Sequence, residues 1–96
     1  MSQLIVYGNV SAEGTKLSGS GFDVTPDSTS GVYLISFDKK FSNIPAVVAT
    51  ALYTAGPAGS VATSLELLEQ GKVKIVTADA GNVAALPFSF NAIGEE

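Results

Sequence analysis

Apolar and polar residues alternate with a period of two along most of this chain, which is the pattern of half-buried β-strands. In the segment 31–38 the odd positions 33, 35 and 37 are Tyr, Ile and Phe, which form one apolar face. In 72–75 two lysines alternate with Val and Ile, and in 86–90 Leu and two Phe alternate with Pro and Ser. These segments predict strands that turn one side towards a core.

Glycine and proline recur at short intervals between runs rich in Val, Ile, Phe, Tyr and Thr. This spacing is typical of short antiparallel strands joined by turns. Strands are predicted near residues 3–10, 16–25, 31–38, 45–54, 60–68, 72–79 and 84–93. The expected fold is a single all-β domain spanning residues 1–96, an antiparallel β-sandwich of about 6–7 short strands.

The segment 63–70 is open to two interpretations. Thr63 stands three residues before Glu66 and Gly71 follows the segment, as at the two ends of a short helix. The alternation of apolar and polar residues through 61–67 instead favours a strand, and a helix this short is marginal. The strand is the preferred prediction.

The segment 46–53 is apolar on both faces of the predicted strand. One face of an antiparallel sheet normally meets water, so a doubly apolar strand needs a second cover. A neighbouring copy of the chain would supply it. The residues expected at this interface are Val48, Thr50, Leu52 and Tyr53.

Composition supports self-association. The 96 residues are 46% hydrophobic and 15% charged, against a typical charged share of about 25%. A small domain leaves much of its surface exposed, and an interface hides apolar area that one copy cannot bury. The net charge is −4, with five lysines and no arginine. Nucleic acid and anionic membranes are therefore poor partners, and no segment is long enough for membrane insertion.

The sequence offers little catalytic chemistry. Histidine and cysteine are absent, so the usual acid–base and nucleophilic groups are missing. The acids are better interpreted as solvated turn residues than as a hydrolase pair or a calcium site; those considered are Glu13, Asp23, Asp27, Asp38, Glu66, Glu69 and Asp79. We expect no enzymatic activity, no metal and no cofactor. The final Glu95-Glu96 is expected to be a frayed tail.

Two other features have a functional and a structural interpretation. Gly19-Ser20-Gly21 has the glycine content of a phosphate loop, but no helix pattern follows it, which favours a bulge or strand entry. Tyr7, Tyr33 and Tyr53 could stack on sugars if exposed. Packing in the core or at strand ends is the preferred interpretation for each tyrosine.

The order of the motifs carries a resemblance. Four come in succession: Gly19-Ser20-Gly21-Phe22-x-Val24, Gly31-x-Tyr33-x-Ile35-x-Phe37, Phe41-x-x-x-Pro45-x-Val47-Val48-Ala49-Thr50 and Phe88-x-Phe90-x-Ala92-Ile93-Gly94. With the opening 6–15, this order resembles the small β-sandwich domains at the ends of bacterial collagen-like chains and phage tail-fibre-like proteins. It is more distantly similar to the H-type lectin domain.

The resemblance implies a homotrimeric sandwich that caps a fibre or binds a cell-surface receptor or glycan. It also implies an extracellular, cell-surface or virion location. H-type lectins bind sugar at the subunit boundary with aromatic, acidic and basic side chains. This chain has no Trp and no Arg, and Phe90 stands where those lectins often carry tryptophan. No sugar-binding residue is carried over, so carbohydrate binding is the alternative to a structural and attachment role.

Overall fold

The computed structural model describes residues 2–52 and 61–96, all of whose regular structure is β. The strands are β1 (Gln3–Val10), β2 (Lys16–Ser20), β3 (Phe22–Pro26), β4 (Val32–Phe37), β5 (Ala46–Ala51), β6 (Val61–Leu68), β7 (Lys72–Asp79), β8 (Asn82–Val83) and β9 (Phe88–Glu95). The all-β prediction is confirmed. These residues hold nine strands rather than six or seven, since one predicted strand is divided and the two-residue β8 was not expected.

The strands form two antiparallel sheets that pack as a sandwich. The first sheet has the order β2-β1-β9-β5. The second has the order β3-β4-β7-β6, with β8 added beside β7. Hairpins join β1 to β2, β3 to β4 and β6 to β7, and β9 returns between β1 and β5. Among the described residues, no helix has the length and hydrophobicity that a membrane crossing requires.

Gly21 divides the strand predicted at 16–25. It has a φ of +90°, which glycine adopts without the steric cost that a Cβ imposes. The chain turns there from β2 in the first sheet to β3 in the second, and the Gly21 carbonyl accepts a hydrogen bond from the Asp38 amide at 2.9 Å. The glycine-rich motif therefore makes a corner between two strands of different sheets, whereas a bulge or strand entry was predicted.

Aromatic pairs join the two sheets in the core. Phe22 of β3 meets Phe90 of β9 edge-to-face, with ring centroids 4.9 Å apart. Tyr33 of β4 meets Phe88 of β9 at the same separation. Such contacts stabilise a core beyond the area they bury. The rest of the cluster contains four residues of the predicted apolar faces, Ile35, Phe37, Val73 and Ile75, together with Val6, Val10, Phe41 and Ala92.

The segment 63–70 begins as strand, which confirms the preferred prediction. Residues 61–68 form β6 and pair with β7, and a bulge between Leu65 and Leu67 inserts one residue. That extra residue is Glu66, whose carboxylate lies 3.3 Å from the Lys74 Nζ atom. The bulge lets β6 keep Leu68 opposite Val73 of the core. Local helix signals are overridden because the alternating residues pair along the whole of β7.

The last strand lies further along the chain than predicted. It begins at Phe88 rather than near residue 84 and continues to Glu95, which pairs with Gln3. The amide of Glu96 donates to the Ser2 carbonyl at 3.0 Å, and the Glu96 carboxylate lies 2.8 Å from the Lys39 Nζ atom. The prediction of a frayed acidic tail was therefore wrong. Ser2 and Glu96 lie side by side at one end of the sandwich.

Candidate functional site: an uncharged face on the first sheet

The outward side of the first sheet carries a block of uncharged residues from its four strands. Strand pairing places them in rows. Each row runs from β1 across β9 to β5. The first row is Ile5, Ile93 and Ala46, and the second is Tyr7, Asn91 and Val48. The third row is Asn9, Ser89 and Thr50. Strand β2 adds Ser18 beside Asn9 and Ser20 beside Tyr7. We call these eleven residues the uncharged face.

Large apolar side chains are exposed at the centre of this face. The exposed fractions are 53% for Ile5, 60% for Tyr7, 61% for Val48 and 39% for Ile93. Their inward-facing neighbours in the same strands, such as Val6 and Ala92, are buried. Apolar side chains scattered singly on a surface are ordinary, but adjacent ones in paired strands form a contiguous patch, and such patches mark interaction sites.

The outward side of the second sheet has the opposite character. Lys74 lies 3.3 Å from the Glu66 carboxylate and 4.0 Å from the Asp27 carboxylate. Lys72, on the same strand, lies 4.0 Å from Glu69. Charged residues of both signs keep this side hydrated. The two outer sides of the sandwich therefore differ in charge. On the second sheet Lys74 has Leu34 and Leu67 as cross-strand neighbours, so apolar residues lie there among charged ones.

Two of the four predicted interface residues belong to this face. Val48 and Thr50 are outward-facing members of it. Leu52, the next residue in the alternation, is 47% exposed, and its amide donates to the Pro87 carbonyl at 2.8 Å. Tyr53 lies outside the described residues.

Sequence reasoning missed the contribution of β1 and β9 to the same face. The apolar run 4–7 carried a usable signal, since like 46–53 it is apolar on both faces of a strand. The pairing of β9 with both β1 and β5 could not be predicted from the sequence.

The acids at the end of the sandwich opposite Ser2 and Glu96 shape a turn. A small cleft of about 250 Å³ there is lined by both Glu13 and Asp27. The Asp27 carboxylate accepts hydrogen bonds from the Thr29 amide and the Ser28 hydroxyl, each at 3.1 Å. These hydrogen bonds lower the pKa of Asp27 below its ordinary value, and the bond from the Thr29 amide has the largest effect. A general acid needs a raised pKa, so Asp27 fits the turn role.

The remaining candidate acids are dispersed. Over residues 2–52 and 61–96, no three acidic, histidine or cysteine side chains come together as a metal site. Glu66 and Glu69 face lysines of the second sheet. Asp23 and Asp38 are exposed, and Asp79 is half-buried beside the β7–β8 turn.

The three tyrosines have different surroundings. Tyr33 is buried, and its hydroxyl donates to the Ala12 carbonyl at 2.6 Å. Burial raises the pKa of Tyr33 above its ordinary value. Tyr7 is exposed in the middle of the uncharged face, while Tyr53 lies outside the described residues. Of the sugar-stacking candidates whose positions are described, Tyr7 alone has an accessible ring.

No protein-family model, no curated protein and no solved structure matches this chain. The surfaces of the chain itself therefore provide the evidence for its function.

Proposed function

We propose that this chain is a non-catalytic structural and attachment module that assembles as a homotrimer through the uncharged face. The single observation that carries the proposal is the row Tyr7, Asn91 and Val48 on the outward side of the first sheet, in which the two apolar members are exposed by 60% and 61%. The order of sequence motifs, which resembles trimeric fibre-end domains, supports the number of copies.

Desolvation of the uncharged face favours the assembly. Burying apolar area is favourable by roughly 25 cal/mol per Å², and this face has no ionised group whose burial would oppose it. Asn, Ser and Thr side chains on the face can hydrogen-bond to a facing copy, so their burial is compensated. The second sheet is a poor interface because its lysines and acids would lose water.

A second copy is a better occupant than an unrelated partner. The face has no charge pattern that would select an acidic or basic protein, and its mixture of Ile, Val, Tyr and Asn is self-compatible. In this proposal three copies turn their first sheets inwards and leave the charged sheets in water. The module would then hold three chains together at a fibre end or cell surface and present its loops to a receptor.

Multi-angle light scattering behind a sizing column tests the assembly. We expect a mass three times the 9.8 kDa of one chain at micromolar concentration, with little dependence on salt because the interface is uncharged. A mass of one chain across that concentration range would contradict the proposal.

Carbohydrate binding is the second candidate, and Tyr7 is the observation that favours it. Its exposed side chain lies between Ser20 and Asn91 on the outward side of the first sheet, which offers a stacking surface with hydrogen-bonding groups at its edges. A glycan array with the intact protein and a Tyr7→Ala variant separates the candidates. Glycan signals that disappear in Tyr7→Ala while the mass of the assembly is unchanged would favour this role. An array without signals would contradict it.

A further inference from the structure

A second surface feature lies at the end of the sandwich where Ser2 and Glu96 meet. It is an open cleft of about 760 Å³ between the loop that precedes β5 and the β6–β7 turn. The cleft is lined on one side by Lys40, Asn43 and Ile44 and on the other by residues 69–72. This volume falls in the range of small-molecule sites, about 300–1,000 Å³. We call it the basal cleft.

Hydrogen bonds tie the two sides of the basal cleft together. The Phe41 amide donates to the Gln70 carbonyl at 3.0 Å, and the Gln70 side-chain amide donates to the Ser42 carbonyl at 2.6 Å. The Asn43 side-chain amide in turn donates to the Glu95 carboxylate at 2.8 Å. The shape of the cleft is therefore held by backbone and amide contacts, so a ligand would not have to order it.

The cleft combines two cations with one exposed apolar side chain. A Cβ at Gly71 would lie 3.8 Å from the Cγ atom of Lys40, so the stem of that lysine runs beside the turn. Lys72 has the Glu69 carboxylate at 4.0 Å, beyond hydrogen-bonding distance. Ile44 is 63% exposed. The cleft is thus lined by two lysines and by the acid Glu69, and the Glu95 carboxylate lies at its rim on Asn43.

We propose that the basal cleft binds a small organic carboxylate that carries an apolar body. Its carboxylate lies between the ammonium groups of Lys40 and Lys72, which donate charge-assisted hydrogen bonds. Its apolar body packs on Ile44 and removes that side chain from water. Glu69 competes with the ligand for Lys72 and limits the affinity.

The test is a titration of the intact protein followed by amide NMR shifts, with three probes. Benzoate has both the charge and the apolar body, acetate has only the charge, and benzyl alcohol has only the apolar body. We expect saturable benzoate shifts confined to residues 40–44 and 69–72, with a Kd on the order of 1 mM. Acetate and benzyl alcohol should each bind about tenfold more weakly, a change of about 1.4 kcal/mol.

Variants make the assignment specific. Lys40→Gln and Lys72→Gln should each weaken benzoate at least fivefold, and Ile44→Ser should weaken benzoate but not acetate. Glu69→Gln should strengthen benzoate about twofold by removing the competing carboxylate. Lys39→Gln is the matched control, since Lys39 pairs with Glu96 outside the cleft, and its effect should stay within twofold.

Benzoate shifts that do not saturate by about 20 mM would overturn the proposal, because the affinity would then be negligible. Benzyl alcohol binding as tightly as benzoate would also overturn it. So would an equal effect of Lys39→Gln and Lys40→Gln, since anions would then be attracted to surface lysines in general. Since the basal cleft and the uncharged face share no residue, either proposal can fail without the other.

Discussion

Tyr7 of β1 lies directly opposite Asn91 of β9, and both side chains point outwards from the first sheet. The aromatic ring is 60% exposed while the next residue along the strand, Gly8, is buried. A large aromatic side chain is thus kept in water at the centre of a paired sheet. Because β1 and β9 are the two inner strands of the first sheet, this pair forms the middle of the uncharged face.

Charged substitutions on the uncharged face should break the assembly without unfolding the chain. In Tyr7→Glu and Val48→Glu the new carboxylate would be buried between copies without a partner, which is strongly unfavourable. We expect light scattering to give the mass of one chain for each variant. Circular dichroism should show β structure retained.

The matched control is Thr25→Glu, an equivalent exposed strand position on the second sheet. Its assembly mass should equal that of the wild type. If Thr25→Glu dissociates the protein as readily as Val48→Glu, the interface lies elsewhere.

Gly8 is required for space rather than for backbone conformation. A Cβ at this position would overlap the Phe22 ring and lie 2.9 Å from the Ser18 carbonyl oxygen, so Gly8→Ala must displace the ring that packs on Phe90 and shift β2. Overpacking of this kind costs about 1–3 kcal/mol, and we expect about 2 kcal/mol from urea unfolding. In a Phe22→Leu background the cost of Gly8→Ala should fall by more than half.

Gly81 provides the contrast. It has a φ of +82° and nothing within 4 Å of a Cβ, so Gly81→Asn should cost under about 1 kcal/mol because Asn tolerates the left-handed region. A cost of Gly8→Ala that is unchanged in the Phe22→Leu background would show that the Ser18 carbonyl, rather than the Phe22 ring, opposes the new Cβ.

Removing the Tyr33 hydroxyl should lower stability and change its dependence on alkaline pH. Tyr33→Phe keeps the ring contact with Phe88 but loses the bond to the Ala12 carbonyl, a cost of about 0.5–1.5 kcal/mol. Because burial raises the folded-state pKa of Tyr33, its contribution is full below the unfolded pKa and is lost as pH rises through the folded pKa.

Denaturant unfolding at pH 7 and above pH 10 checks this expectation, since about 10 is the ordinary tyrosine pKa. The gap between wild type and Tyr33→Phe should narrow at the higher pH. A gap that is constant, or that widens, would show that the hydroxyl does not titrate as a buried group.

Asp27 should stabilise the fold at neutral pH and lose that effect in acid. Its pKa is lowered by hydrogen bonds from the Thr29 amide and the Ser28 hydroxyl, so its contribution is present above the unfolded value and lost as pH falls through the folded value. Asp27→Asn should therefore be less stable than the wild type at pH 7, with the difference vanishing near pH 2–3.

Two further variants show whether the turn is responsible. Ser28→Ala should act in the same direction as Asp27→Asn and more weakly, because one of the hydrogen bonds remains. The double variant should match Asp27→Asn alone. Additive losses would mean that Ser28 acts independently of the carboxylate.

Most of the fold could be predicted because period-two alternation is a local property. The faces of β4, β7 and β9 followed directly from it, and so did the strand at 61–68. The division at Gly21 could not be predicted in this way, since the same glycine suits a bulge, a corner or a turn. Which of these forms depends on whether the two halves find partners in one sheet or in two.

One strand of the uncharged face could be predicted from the sequence, and the basal cleft could not. The doubly apolar segment 46–53 identified one strand of the uncharged face from composition alone. No local sequence pattern predicted the basal cleft. Its two lysines, Lys40 and Lys72, are 32 positions apart in the sequence, and nothing near either one distinguishes it from an ordinary surface lysine. Hydrogen bonds between the two loops bring them to one cleft.

The sequence by itself determined the all-β class, the inward faces and the excess of apolar residues over what one small core can bury. Only the tertiary structure decided where that excess lies and what surrounds it. Alternation fixes the side of a strand on which a residue lies, but not which strands become neighbours. Pairing of β9 with both β1 and β5 joins three separate outward faces into one, because only paired strands share a continuous surface.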